Sequence, residues 1–99
     1  MATTKDFREY VVGQLSILEN ITCRSMMGEY LLYYDGILFG GLYDNRLLVK
    51  IVETNHKYNL TEEIPYQGAK PMYGVAELED KEYLRNLVLD TIRSLPKKK

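Results

Sequence analysis

The sequence predicts an α+β domain of two layers, in which an antiparallel sheet of about five strands carries helices packed on one face. Three observations predict it. Apolar residues recur at helical spacing near both ends of the chain, short apolar and aromatic runs divided by turn residues fill the middle, and no regular β-α-β alternation links the two kinds of segment. The expected order is helix, four strands, loop, strand, helix, as one domain over residues 1–99 with no second, C-terminal domain.

The first helix is expected to start at Thr3 or Thr4, whose side-chain oxygen can accept an unpaired amide of the opening turn. Asp6 stands near the positive end of the helix dipole. Phe7, Val11, Leu15 and Leu18 then repeat at spacings of four and three beside Tyr10, which makes one core-facing stripe. Gly13 within it costs about 1 kcal/mol relative to alanine, so the helix depends on tertiary packing.

Four antiparallel strands follow, over Thr22–Met27, Glu29–Tyr34, Ile37–Tyr43 and Leu47–Val52. Asp35-Gly36 and Asp44-Asn45 mark hairpin turns, because glycine and short Asp or Asn side chains accept positive φ. Gly40-Gly41 would weaken a strand interior, so a bulge or a close backbone approach is expected there. Asn55–Thr61 reads as a short helix with Tyr58 and Leu60 on its apolar side, and Pro65 with Gln67-Gly68 marks a loop. Pro71–Leu78 reads as a strand. Asp80 caps a closing helix whose stripe is Leu84, Leu87, Val88, Ile92 and Leu95; Pro96 stops it, with Arg93 and Lys97–Lys99 at its negative end.

Composition limits the function classes. An apolar fraction of 45% with 27% charged residues fits a chain that folds. Thirteen lysines and arginines against fourteen acidic residues leave no excess charge to attract phosphates or an anionic membrane. The charged N-terminus does not read as a signal peptide and no long apolar run reads as a spanning helix, so a cytoplasmic protein is expected. Cys23 is the single cysteine, which excludes an intrachain disulfide.

Catalytic chemistry is thinly represented. Cys23 and His56 could in principle form a nucleophile pair, but no local signature accompanies them, and the bland expectation is a strand cysteine and a loop histidine that never meet. No ligand spacing points to a metal, and Gly40-Gly41 lacks the lysine and spacing of a phosphate loop. No cofactor is expected. The strands instead carry more apolar surface than one face needs: tyrosines and leucines of Glu29–Tyr34 fall on both parities, and Leu47, Val49 and Ile51 alternate with Leu48, Lys50 and Val52. The second apolar face would serve a homodimer through the sheet or its edge, unless residues Asn55–Lys70 fold back as a lid. Nine tyrosines favour half-buried sheet positions and interfaces. Glu29 and Asp35 beside Tyr30, Tyr33 and Tyr34 argue against a nucleic-acid surface.

Arg24-Ser25-Met26-Met27-Gly28-Glu29-Tyr30, then Tyr33-Tyr34-Asp35-Gly36-Ile37-Leu38-Phe39 and Leu47-Leu48-Val49-Lys50-Ile51, resemble the TfoX N-terminal-domain family. Its members look like Arg-x-Met-Phe-Gly-Gly-Tyr-Gly, a short strand, Asp-Gly, a Phe-containing strand, Leu-Tyr-Leu-Lys-Val, a Pro-x-x-Tyr-like segment and a closing helix. Here Pro71–Val75 and Tyr83–Leu95 take the last two places, so the resemblance runs from about Phe7 to Leu95. Met27 stands for the family's Phe and Glu29 for its second glycine. The resemblance implies a bacterial two-layer fold similar to that of secretion chaperones and brings no catalytic residues. Some longer members regulate natural competence. On that footing Arg24, Gly28, Asp35 and Lys50 are the candidate binding positions, with turn and surface roles as the structural alternative.

The expected function is a non-enzymatic protein-interaction or regulatory adaptor. The alternative is a small-molecule-binding protein or minor enzyme with a pocket between helices and sheet, near Cys23 and the tyrosines.

Overall fold

A computed structural model describes residues 3–95. Helix α1 (Lys5–Gln14) opens on Thr4, whose hydroxyl accepts from the Phe7 amide at 3.1 Å. Its last turn tightens into a 3-10 turn at Leu15–Ile17, so the apolar stripe continues past the α-helix. Val11 and Leu15 are fully buried, and Leu18, already extended, still reaches the core.

Strands β1 (Ile21–Met26), β2 (Glu29–Tyr34), β3 (Ile37–Leu42) and β4 (Leu47–Val49) form an antiparallel meander. Each hairpin is closed by two residues of positive φ, Met27-Gly28, Asp35-Gly36 and Asp44-Asn45. Paired left-handed residues give a turn whose twist matches that of the strands it joins.

The chain next makes a 3-10 turn at Glu53–Tyr58 and a short strand β5 (Thr61–Glu63). Strand β6 (Met72–Val75) then inserts between β4 and β5, giving the order β1-β2-β3-β4-β6-β5 with every neighbour antiparallel. Helix α2 (Lys81–Arg93) is capped by Asp80, which accepts from the Tyr83 amide at 3.1 Å. Leu84, Leu87 and Val88 of α2 meet Val11 and Leu15 over Leu32, Phe39, Leu42, Leu47, Val49 and Val75. Both helices therefore share one face of the sheet. No helix among the described residues is long and apolar enough to cross a membrane.

The sheet has six strands rather than about five. The extra strand is β5, whose Thr-Glu-Glu sequence has no apolar side chain and so no periodicity to read. β4 stops at Val49 instead of Val52, because Asn55 takes over the backbone beyond it: its amide donates to the Lys50 carbonyl at 2.8 Å and its oxygen accepts from the Val52 amide at 3.2 Å. The short helix expected at Asn55–Thr61 is the 3-10 turn displaced toward the N-terminus and ended by left-handed Asn59. The strand expected at Pro71–Leu78 contracts to β6. Pro96 and Lys97–Lys99 lie outside the described residues.

The irregularity expected at Gly40-Gly41 is present. The β2–β3 register slips so that Leu32 pairs with Gly40 and Tyr33 with Leu38, which leaves Phe39 as the bulged residue in the core. A Cβ on Gly40 would run into the β4 backbone, and one on Gly41 into the Tyr43 ring and the Tyr30 carbonyl. Only glycine permits that approach.

A polar lock fastens the second 3-10 turn to α2. Asn55, fully buried, also donates to the Thr91 hydroxyl at 2.9 Å, and Thr91 donates on to the Leu87 carbonyl at 2.8 Å. Beside it the Tyr58 hydroxyl donates to Asp90 Oδ2 at 2.6 Å, with Lys57 Nζ at 3.2 Å from the same oxygen.

Candidate functional site

The face turned away from the helices follows from strand alternation. Leu31, Gly41, Leu48 and Gly74 are register partners along one row, on the opposite side from Leu32, Val49 and the core. Leu48 is nevertheless fully buried. Residues 64–71, between β5 and β6, fold back on this face and are held there by Arg46. Its guanidinium pairs with Glu63 at 2.8 Å and donates to the carbonyls of Ile64 at 3.2 Å and Pro65 at 3.3 Å. The Tyr66 ring tilts against Tyr43, with centroids 6.0 Å apart. The lid over Asn55–Lys70, the alternative to an open apolar face, is thus present in its C-terminal part alone, since Glu53–Tyr58 dock on α2 on the helix side.

Between this loop and the sheet lies a partly open cleft of about 450 Å³. Gly40 belongs to its sheet side, Leu38, Ile51 and Met72 give it apolar walls, and Pro65 with Tyr66 comes from the loop. Lys50 and Lys70 line it as well. Burial raises the pKa of the Tyr43 hydroxyl in the same cleft, and nearby Tyr66, Glu29 and Tyr33 raise it further, so it remains a neutral donor. This cleft thus lies on the face opposite to the pocket of the alternative reading, which was placed between helices and sheet. A smaller cavity of about 300 Å³ beside Phe7, Leu47 and Val75 is on the helix side, and Cys23 lines neither.

Cys23 sits half-buried on the edge strand β1, where burial pushes its thiol pKa up against the opposing charge of Arg8. A raised thiol is a poor nucleophile. His56 packs edge-on against Tyr73 of β6, with β2, β3 and β4 between that strand and Cys23. The Cys-His pair is not assembled. Among the described residues no three His, Cys, Asp or Glu side chains gather as a metal site.

The four positions singled out from the sequence do not converge. Arg24 is exposed on the outer face of β1, Gly28 and Asp35 occupy turns at opposite ends of β2, and Lys50 lines the cleft just past β4. Gly28 and Asp35, at φ 87 and 51, supply the conformations their turns require.

Sequence reasoning missed the part played by Glu29. One carboxylate oxygen accepts from the Thr3 amide at 3.0 Å, the Thr3 hydroxyl at 2.6 Å and the Asp44 amide at 3.1 Å. Asn45 completes the knot by accepting from the Thr4 amide at 2.9 Å. The entry to α1 is thereby tied to two hairpin turns, and the departure from glycine at this position was the only signal.

The two edges of the sheet differ. β5 is three residues long and carries two glutamates, which discourages strand addition. β1 is six residues long with one charge, Arg24, and its hairpin ends in Met27, 98% exposed. The Asp35 amide donates to the Asn20 carbonyl, so by antiparallel alternation the even residues of β1 bond to β2. The amides and carbonyls of Ile21, Cys23 and Ser25 therefore point out of the sheet.

The family model for the TfoX N-terminal domain matches residues 13–93, from the end of α1 through α2. The uncharacterized 12.7 kDa protein in the trpE 5′ region of Spirochaeta aurantia is 35% identical over 100 residues, covering 97% of this chain and 86% of that protein.

Proposed function

The chain belongs to the TfoX N-terminal domain family, and on that premise we propose that it is a protein-interaction domain, a regulatory adaptor without chemistry of its own, that pairs with a second copy through β1. The observation that carries this reading is the unpaired row at Ile21, Cys23 and Ser25 on an edge strand without proline, bulge or acidic guard.

The row is self-complementary. With a two-fold axis at Cys23, Ile21 faces Ser25 of the partner subunit, Cys23 faces the partner's Cys23, and the three pairs exchange backbone bonds in a continuous antiparallel sheet. The outer-face cation Arg24 then stands opposite Thr22 of the partner subunit, whereas shifting the axis to Arg24 would set two guanidiniums against each other. The separation of Cys23 from His56, and the raised thiol, support contact rather than catalysis.

Native mass spectrometry across the micromolar range tests the reading. Twice the monomer mass is expected. A single-chain mass throughout that range rules out pairing through β1.

A further inference from the structure

The cleft under residues 64–71 has a composition that the adaptor reading leaves unused. Its walls include Leu38, Ile51, Met72 and Tyr66, yet two lysines line it and no acidic residue does. Among the described residues three cations stand in ion pairs, Arg46 with Glu63, and Lys57 and Arg93 with Asp90. Among the described residues neither Lys50 nor Lys70 has an ion-pair partner. The roof is tethered, because Arg46 holds the carbonyls of Ile64 and Pro65. Gly40 lines the sheet side, where the β4 backbone leaves no room for a side chain. The volume of about 450 Å³ lies within the range of small-molecule sites, which pair apolar walls with a few placed polar groups.

We propose that this cleft binds a small organic anion, with an apolar or aromatic body between Tyr66, Ile51 and Met72 and an acidic group held by Lys50 and Lys70. Charge complementarity selects this occupant: a neutral apolar molecule would leave the lysines unused, and a cation would be repelled. The buried Tyr43 hydroxyl adds a neutral donor at the same wall. The site involves β3, the segment just past β4, the β5–β6 loop and the start of β6, and not β1, so it stands or falls independently of edge pairing.

The test is an amide-resolved NMR titration of the intact chain with 2-naphthoate and its neutral counterpart 2-naphthamide. Naphthoate should shift the amides of Ile51, Ala69, Lys70 and Met72 and bind about tenfold more tightly than the amide, the return from a charge-assisted contact at a half-open site. A Lys50→Met, Lys70→Met double variant should lose that preference while keeping its Tm, since neither side chain contributes a hydrogen bond or ion pair to the described fold. Equal binding of acid and amide, shifts confined to the helix layer, or a preference that survives in the double variant would overturn the proposal. So would absence of naphthoate binding while an acidic hexapeptide shifts the same amides, because the occupant would then be a protein segment.

Discussion

Replacing Asn55 with alanine tests the lock between the second 3-10 turn and α2. The side chain is fully buried and makes three bonds, accepting from the Val52 amide and donating to the Lys50 carbonyl and the Thr91 hydroxyl. Thr91 keeps its bond to the Leu87 carbonyl, so the orphaned groups are chiefly the two backbone ones. Each unsatisfied buried group costs about 1–3 kcal/mol, and because Lys50 is only half-buried the lower part of that range applies, for a total of about 3 kcal/mol. In a domain of this size that corresponds to a Tm lowered by roughly 12–24 °C. Scanning calorimetry reads the shift directly. Thr91→Val, which leaves both backbone bonds to Asn55 intact, should cost clearly less. An Asn55→Ala protein melting within about 4 °C of the parent would refute the reasoning, because a shift that small is worth under 1 kcal/mol and the orphaned groups must then find water.

Glu29→Gly, which restores the residue seen in the family pattern, should lower the urea midpoint by an amount equivalent to about 1–2 kcal/mol and expose the Thr3 and Asp44 amides to faster exchange. Unchanged exchange at both would show that the knot does not hold them. Asp90 is held below the usual carboxylate range, first by the Tyr58 hydroxyl and then by Lys57 and Arg93, against the opposing effect of burial. Its contribution is present above the unfolded pKa near ~3.9 and is lost as pH falls through the depressed folded value. The Tyr58 hydroxyl, raised by burial and then by its bond to Asp90, contributes below its unfolded pKa of about 10 and loses that contribution as pH rises through about 12. Equilibrium unfolding at acid, neutral and alkaline pH should therefore give Tyr58→Phe a flatter profile than the parent, and parallel profiles would contradict the coupling.

Much of this fold is legible where local chemistry and tertiary packing agree. The stripe Val11, Leu15, Leu18 and the stripe Leu84, Leu87, Val88 are both read at helical spacing and both buried, and Asp35-Gly36 announces its turn. Met27 does not, since a methionine at positive φ has no sequence signal, and Met27 was expected to end a strand. β5 was invisible for a different reason. It is defined by backbone pairing to β6 and contains nothing apolar. The cleft was harder still, because it exists only once Arg46 captures carbonyls 18 and 19 residues further along the chain. Lys50 was found through its motif, but Lys70, Tyr66 and Met72 come to it by a loop whose path no local pattern encodes. Asn55 gave no warning either, since a buried asparagine reads as an ordinary loop residue until its three partners are placed.

Concentration-dependent amide exchange along β1 is the most direct measurement on the central claim, because antiparallel pairing fixes which amides a partner copy can protect. Raising the protein concentration through the micromolar range should slow exchange at Ile21, Cys23 and Ser25 while leaving Thr22 and Arg24, already bonded to β2, unchanged. Ser25→Pro, which removes one outward donor from an edge where proline is tolerated, should abolish the concentration dependence. Exchange at Ile21, Cys23 and Ser25 that is fast and independent of concentration, or protection that grows on some other element instead, would contradict the account.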